Sequence, residues 1–308
     1  PRSGFGRSCL ADQAGSYRRC VASDVVSEPV APNAASYADV RFAWTACMAP
    51  GLFTRKESMD RQIAHPDINT PIKTWYKGYY EHAFLALYPF YRIISANPMQ
   101  SQDAPYERLL RWGERPDDFD EIMKVRGETI RWSEVHETVA PEVSKKDFYL
   151  AVWLSACLGY AERANIALQR KIAAFCEAEN IYLPDDDFIP AILHPSVGRF
   201  LAPFEGQRII AYDEFRDHSV ELPLSCFQRQ APAAFLPQAT TSGGIWAIHV
   251  PDPGILMTSA FDGTEALIAM TDAAFKQSDP RDFVETETAN DGMYCDWLNP
   301  IDFFERNG

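Results

Sequence analysis

Toward its C-terminal end the chain alternates apolar and polar positions with a period of two. Trp246, Ile248 and Val250 of the segment IWAIHV fall on one face of an extended strand, and Ile245, Ala247 and His249 on the other. The turn sequence Pro251-Asp252-Pro253-Gly254 follows. Ile255, Met257, Ser259 and Phe261 then alternate again, as in a second half-buried strand. Beyond it the period changes. Asp262 and Glu265 form a D-x-x-E pattern, which satisfies orphan amides at a helix start, and Leu267, Met270, Thr271 and Ala274 repeat as one helix face. This predicts strand, tight turn, strand and then a helix from Thr264, covering one face of the sheet.

Helical periods dominate the earlier half. In TWYKGYYEHAFLALYPFYR, Tyr76, Tyr80, Phe84 and Tyr88 recur every four residues, which predicts an aromatic stripe, begun by Trp75 and stopped by Pro89. Ser144 and Asp147 form an S-x-x-D cap ahead of a long helix from Lys145 to about Glu179, with a break near Gly159. Leu168, Ile172, Phe175 and Cys176 lie on its inner side. Shorter helices are predicted over Tyr37–Met48 and Tyr106–Trp112. Past Tyr182-Leu183-Pro184 proline becomes frequent, long helical periods vanish, and Arg208–Tyr212 (RIIAY) is a predicted strand. Asn290-Asp291-Gly292 is a hairpin turn, preceded by Val284, Thr286 and Thr288 on one face and Glu285 and Glu287 on the other.

The fold class this predicts is α+β: a mainly helical N-terminal region packed with a C-terminal antiparallel strand and helix unit. The organisation is an arm over residues 1–40, a mainly helical region over 41–180 and a mixed α+β region over 181–308. No flexible linker separates the last two, so they can share one core.

Composition narrows the partners. The apolar fraction of 46% suffices for a packed core, and the net charge is −14. From Gly244 onward twelve acidic residues face three basic ones. Such a surface repels phosphate backbones and anionic lipid, so nucleic-acid binding is not expected. The apolar, uncharged run Phe148–Ala161 is short of a membrane span. Seven cysteines, with no C-x-x-C and no zinc spacing, fit free thiols in an intracellular, reducing compartment. The Arg- and Ser-rich, acid-poor start is also compatible with an organelle, mitochondrion or plastid, and such an arm needs a partner, or the body of the protein, to hold it. A soluble protein without metal or cofactor is the expectation.

No nucleophile elbow, dinucleotide fingerprint, phosphate loop or H-E-x-x-H pattern is present. The histidines remain. His249, with Asp252 three residues on and Asp262 and Glu265 near it in sequence, could hold a metal or serve as a general base. His218, with Asp217 beside it, is the alternative. His65 and His194 each precede proline, which favours extended loop geometry. Asp185-Asp186-Asp187 could take a divalent cation, but acids complementing a helix that begins at Phe188 account for it better. Two binding surfaces are candidates: the acids Glu285, Glu287, Asp291 and Asp296, which would steer a basic protein, and the aromatics Trp75, Tyr76 and Tyr80. These features point first to a non-catalytic accessory subunit of a protein assembly. A hydrolase using a histidine and nearby carboxylates is second, and an acidic inhibitor masking a basic partner is third.

Overall fold

The computed structural model describes residues 60–94, 118–157, 164–234, 236 and 244–299. The arm and the helices expected over 37–48 and 106–112 lie outside them. Seven α-helices are described: α1 (Ile72–Trp75), α2 (Phe119–Arg126), α3 (Trp132–Val139), α4 (Lys145–Ala156), α5 (Ile166–Glu179), α6 (His194–Leu201) and α7 (Asp272–Phe275). The strands are β1 (His82–Leu87), β2 (Phe90–Ile93), β3 (Gly127–Ile130), β4 (Ile209–Tyr212), β5 (Ser219–Leu222), β6 (Ala247–Val250), β7 (Ile255–Ser259), β8 (Glu265–Met270) and β9 (Thr286–Thr288). β2 and β3 pair with each other. The other seven form one antiparallel sheet in the order β5-β4-β6-β7-β8-β1-β9. The fold is α+β, and β1, from the first half of the chain, lies between β8 and β9 of the second.

β6 and β7 form where alternation places them, around the Pro251–Gly254 turn, and β4 matches RIIAY. The helix expected from Thr264 is instead strand β8, and Asp262 with Glu265 caps nothing there. The cause lies in the run Ala266–Met270, every residue of which is buried. A central strand covered on both faces is continuously apolar, and such a run carries no period that separates it from a buried helix. Only Asp272–Phe275 is helical, and its cap is Thr271, whose hydroxyl accepts from the Ala274 amide at 3.2 Å.

The aromatic stripe is corrected in the same way. Only Ile72–Trp75 is helical, and Phe84 and Tyr88 belong to β1 and the bend after it. Tyr76 and Tyr80 meet edge to face at 5.4 Å, and their hydroxyls donate to the carbonyls of Ala64 and Gln62, both at 2.8 Å. They clamp the segment after residue 60 onto the sheet.

The long helix is two. The Ser144 side chain accepts from the Asp147 amide as expected, a cap worth about 1 kcal/mol. α4 closes at Cys157, and α5 starts from an Asn165 cap and ends at Asn180 in the left-handed region.

Three clusters make the core. On one sheet face Phe84, Ile268, Met257, Ile248 and Val250 pack under α6 and Phe227. On the other, Leu85, Leu256, Leu267 and Ala269 lie under Ile72, Tyr76 and Tyr80. The third cluster joins α3, α4 and α5 around Trp132, Phe148 and Tyr149, and takes in Leu87 from the end of β1. Each fully buried large apolar side chain contributes about 1.5–3 kcal/mol. Trp297 packs against both the second and the third cluster, so it marks the seam between sheet and helices.

Candidate functional site

The seam opens beside the turn joining β7 to β8, residues 260–264. Asp262 adopts φ 55°, a left-handed conformation that aspartate tolerates better than most residues. Partners distant in sequence hold it there. The Asp262 amide donates to the Asp187 carboxylate at 2.7 Å. The Asp262 carbonyl accepts from the Trp153 indole at 2.7 Å and from the Cys157 thiol at 2.9 Å. The Asp187 amide donates to the Gly263 carbonyl at 3.0 Å, and the Tyr88 amide to the Thr264 carbonyl at 2.8 Å. The turn is thus bonded to α4, to the acidic loop at 185–187 and to the end of β1.

Beneath it lies an open-mouthed pocket; the space of about 590 Å³ within it includes open solvent. Leu85 and Leu267 come from the sheet, Trp153 from α4, Phe261 and Asp262 from the turn, and Cys295–Asn299 from the C-terminal segment; His65 is carried in by the clamped segment. Glu265, the one ionisable residue of β8, completes the wall. Its carboxylate accepts from the Trp297 indole at 3.2 Å and from the Thr264 hydroxyl at 3.3 Å. Burial pushes its pKa up to about 7, and these hydrogen bonds only partly oppose the shift. The residue as a whole is half-buried and borders the pocket. His65 is held near 4, first by burial, with the Arg216 guanidinium adding to the effect. Its Nδ1 lies 3.0 Å from the Pro66 carbonyl, which can only accept, so Nδ1 carries the proton of a neutral ring.

Behind the turn the donor atoms of Cys157, Asp186 and Asp262 lie within 4.8 Å of one another. Such a set could hold a metal ion. Burial and then the charges of Asp186 and Asp262 keep the thiol well above its usual range, so an ion would have to displace a firmly held proton. Among the described residues no helix begins at Phe188; the acids 185–187 sit in a loop, and Asp187 is committed to the turn.

The histidine candidates are elsewhere. His249 is buried in β6, level with Leu256 and Ala269 and so four residues along β8 from Glu265; Asp252 is exposed at the opposite turn. Burial lowers the His249 pKa. His218 pairs with the buried Asp213 at 2.8 Å, closing the β4–β5 turn, while Asp217 points to solvent. Nor do the four acids share a surface. Glu285 accepts from the first amides of α3, Trp132 at 2.6 Å and Ser133 at 3.1 Å, and from the Tyr149 hydroxyl. Glu287 is bonded to Lys145, Asp291 is exposed beside Lys73, and Asp296 is buried in the pocket wall. The alternation was right, but the glutamate face meets the helical layer rather than water. Trp75 is half-buried under Arg61, and Tyr76 and Tyr80 are core. Sequence reasoning passed over Trp153, Cys157 and Trp297, and gave Glu265 a different task. One signal was available: a lone carboxylate heading an otherwise apolar buried run.

Fold and site together define an α+β protein built on an antiparallel sheet, with an acid-lined pocket at the junction of sheet and helices. The chain belongs to the family of proteins of unknown function DUF2711, whose profile matches residues 68–301, all nine strands and Glu265 included. No curated protein and no solved structure matches the chain. Among the described residues no helix is long and apolar enough to cross a membrane.

Proposed function

We propose that this protein binds a small molecule in the pocket below the β7–β8 turn and acts on it by proton transfer through Glu265. One observation carries the reading: a carboxyl on the wall of an indole-lined pocket, held by burial in the range where it both gives and takes a proton at neutral pH. A general acid or base works best when its pKa lies near the operating pH, and contributes about 10²–10⁴-fold to rate. The Trp297 and Thr264 hydrogen bonds fix the carboxyl's orientation, and the neutral His65 adds a second polar group to the lining. The hydrolase expected from His249 or His218 becomes, on this reading, a carboxyl-based enzyme. The accessory-subunit role has less support, since Glu285 and Asp296 are turned inward.

A fragment screen by protein-observed NMR tests the proposal. Binders should move the indole N–H signals of Trp153 and Trp297. A binder with a labile proton should turn over, and Glu265→Gln should slow that turnover by about 100-fold or more while leaving binding within a few-fold. Equal turnover in the variant would remove Glu265 from the chemistry. If no fragment moves the two indoles, the pocket is not a binding site.

A further inference from the structure

We infer that His65 sets the ligand class of this pocket: its Nε2 accepts a hydrogen bond from an uncharged hydroxyl or amide N–H of the bound molecule. The inference rests on the reading of the pocket as a small-molecule site. His65 belongs to the pocket wall and precedes Pro66 in the segment that follows residue 60. That segment is fastened carbonyl by carbonyl. The Gln62 carbonyl accepts from the Tyr80 hydroxyl at 2.8 Å, the Ile63 carbonyl from the Arg216 guanidinium at 3.0 Å and the Ala64 carbonyl from the Tyr76 hydroxyl at 2.8 Å. Just past the histidine, the Asp67 carbonyl accepts from the thiol of Cys295, itself a wall residue, at 3.7 Å. The imidazole is therefore held at a fixed place on the wall by bonds on both sides of it.

The ring's own bond decides what it offers. Nδ1 gives its proton to the Pro66 carbonyl at 3.0 Å, which leaves Nε2 with a lone pair and no proton. Among the described residues Nε2 has no hydrogen-bond partner. It is not sealed either, since the enclosed, unpartnered side-chain atoms among them are Trp75 Nε1, His194 Nδ1 and Trp246 Nε1. Water or a ligand therefore reaches it. A ligand that displaces that water without a donor leaves the acceptor unpaired, and one that brings a donor restores the bond. Burial, with the Arg216 charge adding to it, holds the ring neutral above about 4, so Nε2 stays an acceptor at neutral pH. The same guanidinium opposes a positive charge at the ring, which selects an uncharged donor over an ammonium. A nitrogen this weakly basic is a poor proton acceptor at neutrality, so His65 orients the ligand while Glu265 moves the proton.

Matched fragments titrated into the full chain by protein-observed NMR decide the matter. Benzyl alcohol and benzamide carry the donor, benzyl methyl ether and N,N-dimethylbenzamide lack it, and benzylammonium is the cation. Read from the Trp153 and Trp297 indole signals, each donor should bind at least about five-fold tighter than its methylated partner. In protein labelled with ¹⁵N at histidine, His65 should carry its proton on Nδ1, and only the donor fragments should shift its Nε2 resonance. His65→Phe should abolish the preference, and His65→Gln, which offers a carbonyl oxygen in place of Nε2, should restore part of it. The labelled ring and the fragment pairs test the parent chain even if a variant fails to fold. Equal affinity of donor and methylated fragments, or a proton found on Nε2, overturns the inference and leaves the small-molecule site standing. A preference that survives His65→Phe overturns the role of His65, and benzylammonium binding tighter than benzyl alcohol overturns the uncharged class. If no fragment moves the two indoles, the inference falls together with the site.

Discussion

The two ends of the β6-β7-β8 meander are built on opposite principles. At one end Pro251–Gly254 turns the chain with near partners: Thr271, at the adjacent end of β8, donates its hydroxyl to the Pro253 carbonyl at 2.6 Å and its amide to the Gly254 carbonyl at 3.0 Å. Gly254 adopts φ 99°, its amide returns to the Val250 carbonyl, and Pro251 and Asp252 are exposed. At the other end Asp262, Gly263 and Thr264 are held by Asp187, Trp153, Cys157 and Tyr88, between 75 and 176 residues away. A turn that closes with neighbours close in sequence can face water. A turn that depends on other elements gathers those elements around it, and here they bring two indoles, a thiol and several carboxyls to one place. The pocket lies at that second end.

Breaking the contrast should be easiest at Asp187. Asp187→Ala orphans the Asp262 amide and forces alanine into a residue at φ 75°, so denaturant unfolding should show a loss of about 2–3 kcal/mol. Asp252→Ala, at the opposite end, should change stability by less than ~0.5 kcal/mol. Equal effects at the two positions would erase the distinction.

The next effect is pH-dependent. Glu265 binds its proton more tightly folded, at about 7, than unfolded, at about 4.3. Stability from this group is therefore highest below the unfolded value, declines as pH rises between the two, and stays reduced above 7. Glu265→Gln removes the decline. Relative to the parent it should gain on the order of 2 kcal/mol from pH 4 to pH 8, a figure discounted for the carboxyl's access to pocket water. Parallel stability curves for parent and variant would contradict the assignment.

Glu285→Gln sharpens the picture of the glutamate face. Replacing a carboxylate at the start of α3 by a neutral amide should cost about 1–2 kcal/mol by thermal or denaturant melting, where an exposed acid would cost nothing. The smallest effect is at Asp262 itself. Its left-handed backbone should make Asp262→Ala less stable than Asp262→Gly by about 1 kcal/mol, and equal melting of the two would argue against that conformation.

These differences follow what could be read from the sequence. The fold class, β4, β6, β7 and the Ser144 cap were legible because alternation and caps are local signals. β8 and β1 were not. Ala266–Met270 is apolar on both faces, and the four-residue spacing of Tyr76, Tyr80, Phe84 and Tyr88 coincides with a helical period while the chain runs from a short helix into a strand. The site was legible only in fragments. Asp185–Asp187 drew notice as a run of acids ahead of an expected helix and Asp262 as a helix cap, yet the bond between Asp187 and the Asp262 amide joins segments 75 residues apart, which no local pattern encodes. Glu265 was placed at a helix start because an acid near an aspartate and an apolar run satisfies a capping rule. Only the pairing of Glu265 with Leu87 turns it toward the pocket.

The carboxyl of Glu265 is the centre of this account, and its own titration tests it most directly. In protein labelled with ¹³C at the glutamate carboxyls, the resonance missing from Glu265→Gln identifies Glu265, and its shift can be followed with pH. The account predicts a midpoint about 7. A midpoint of about 4–5, the ordinary range for a hydrated glutamate, would mean that the pocket does not desolvate the carboxyl, and the proposed proton transfer would lose its basis.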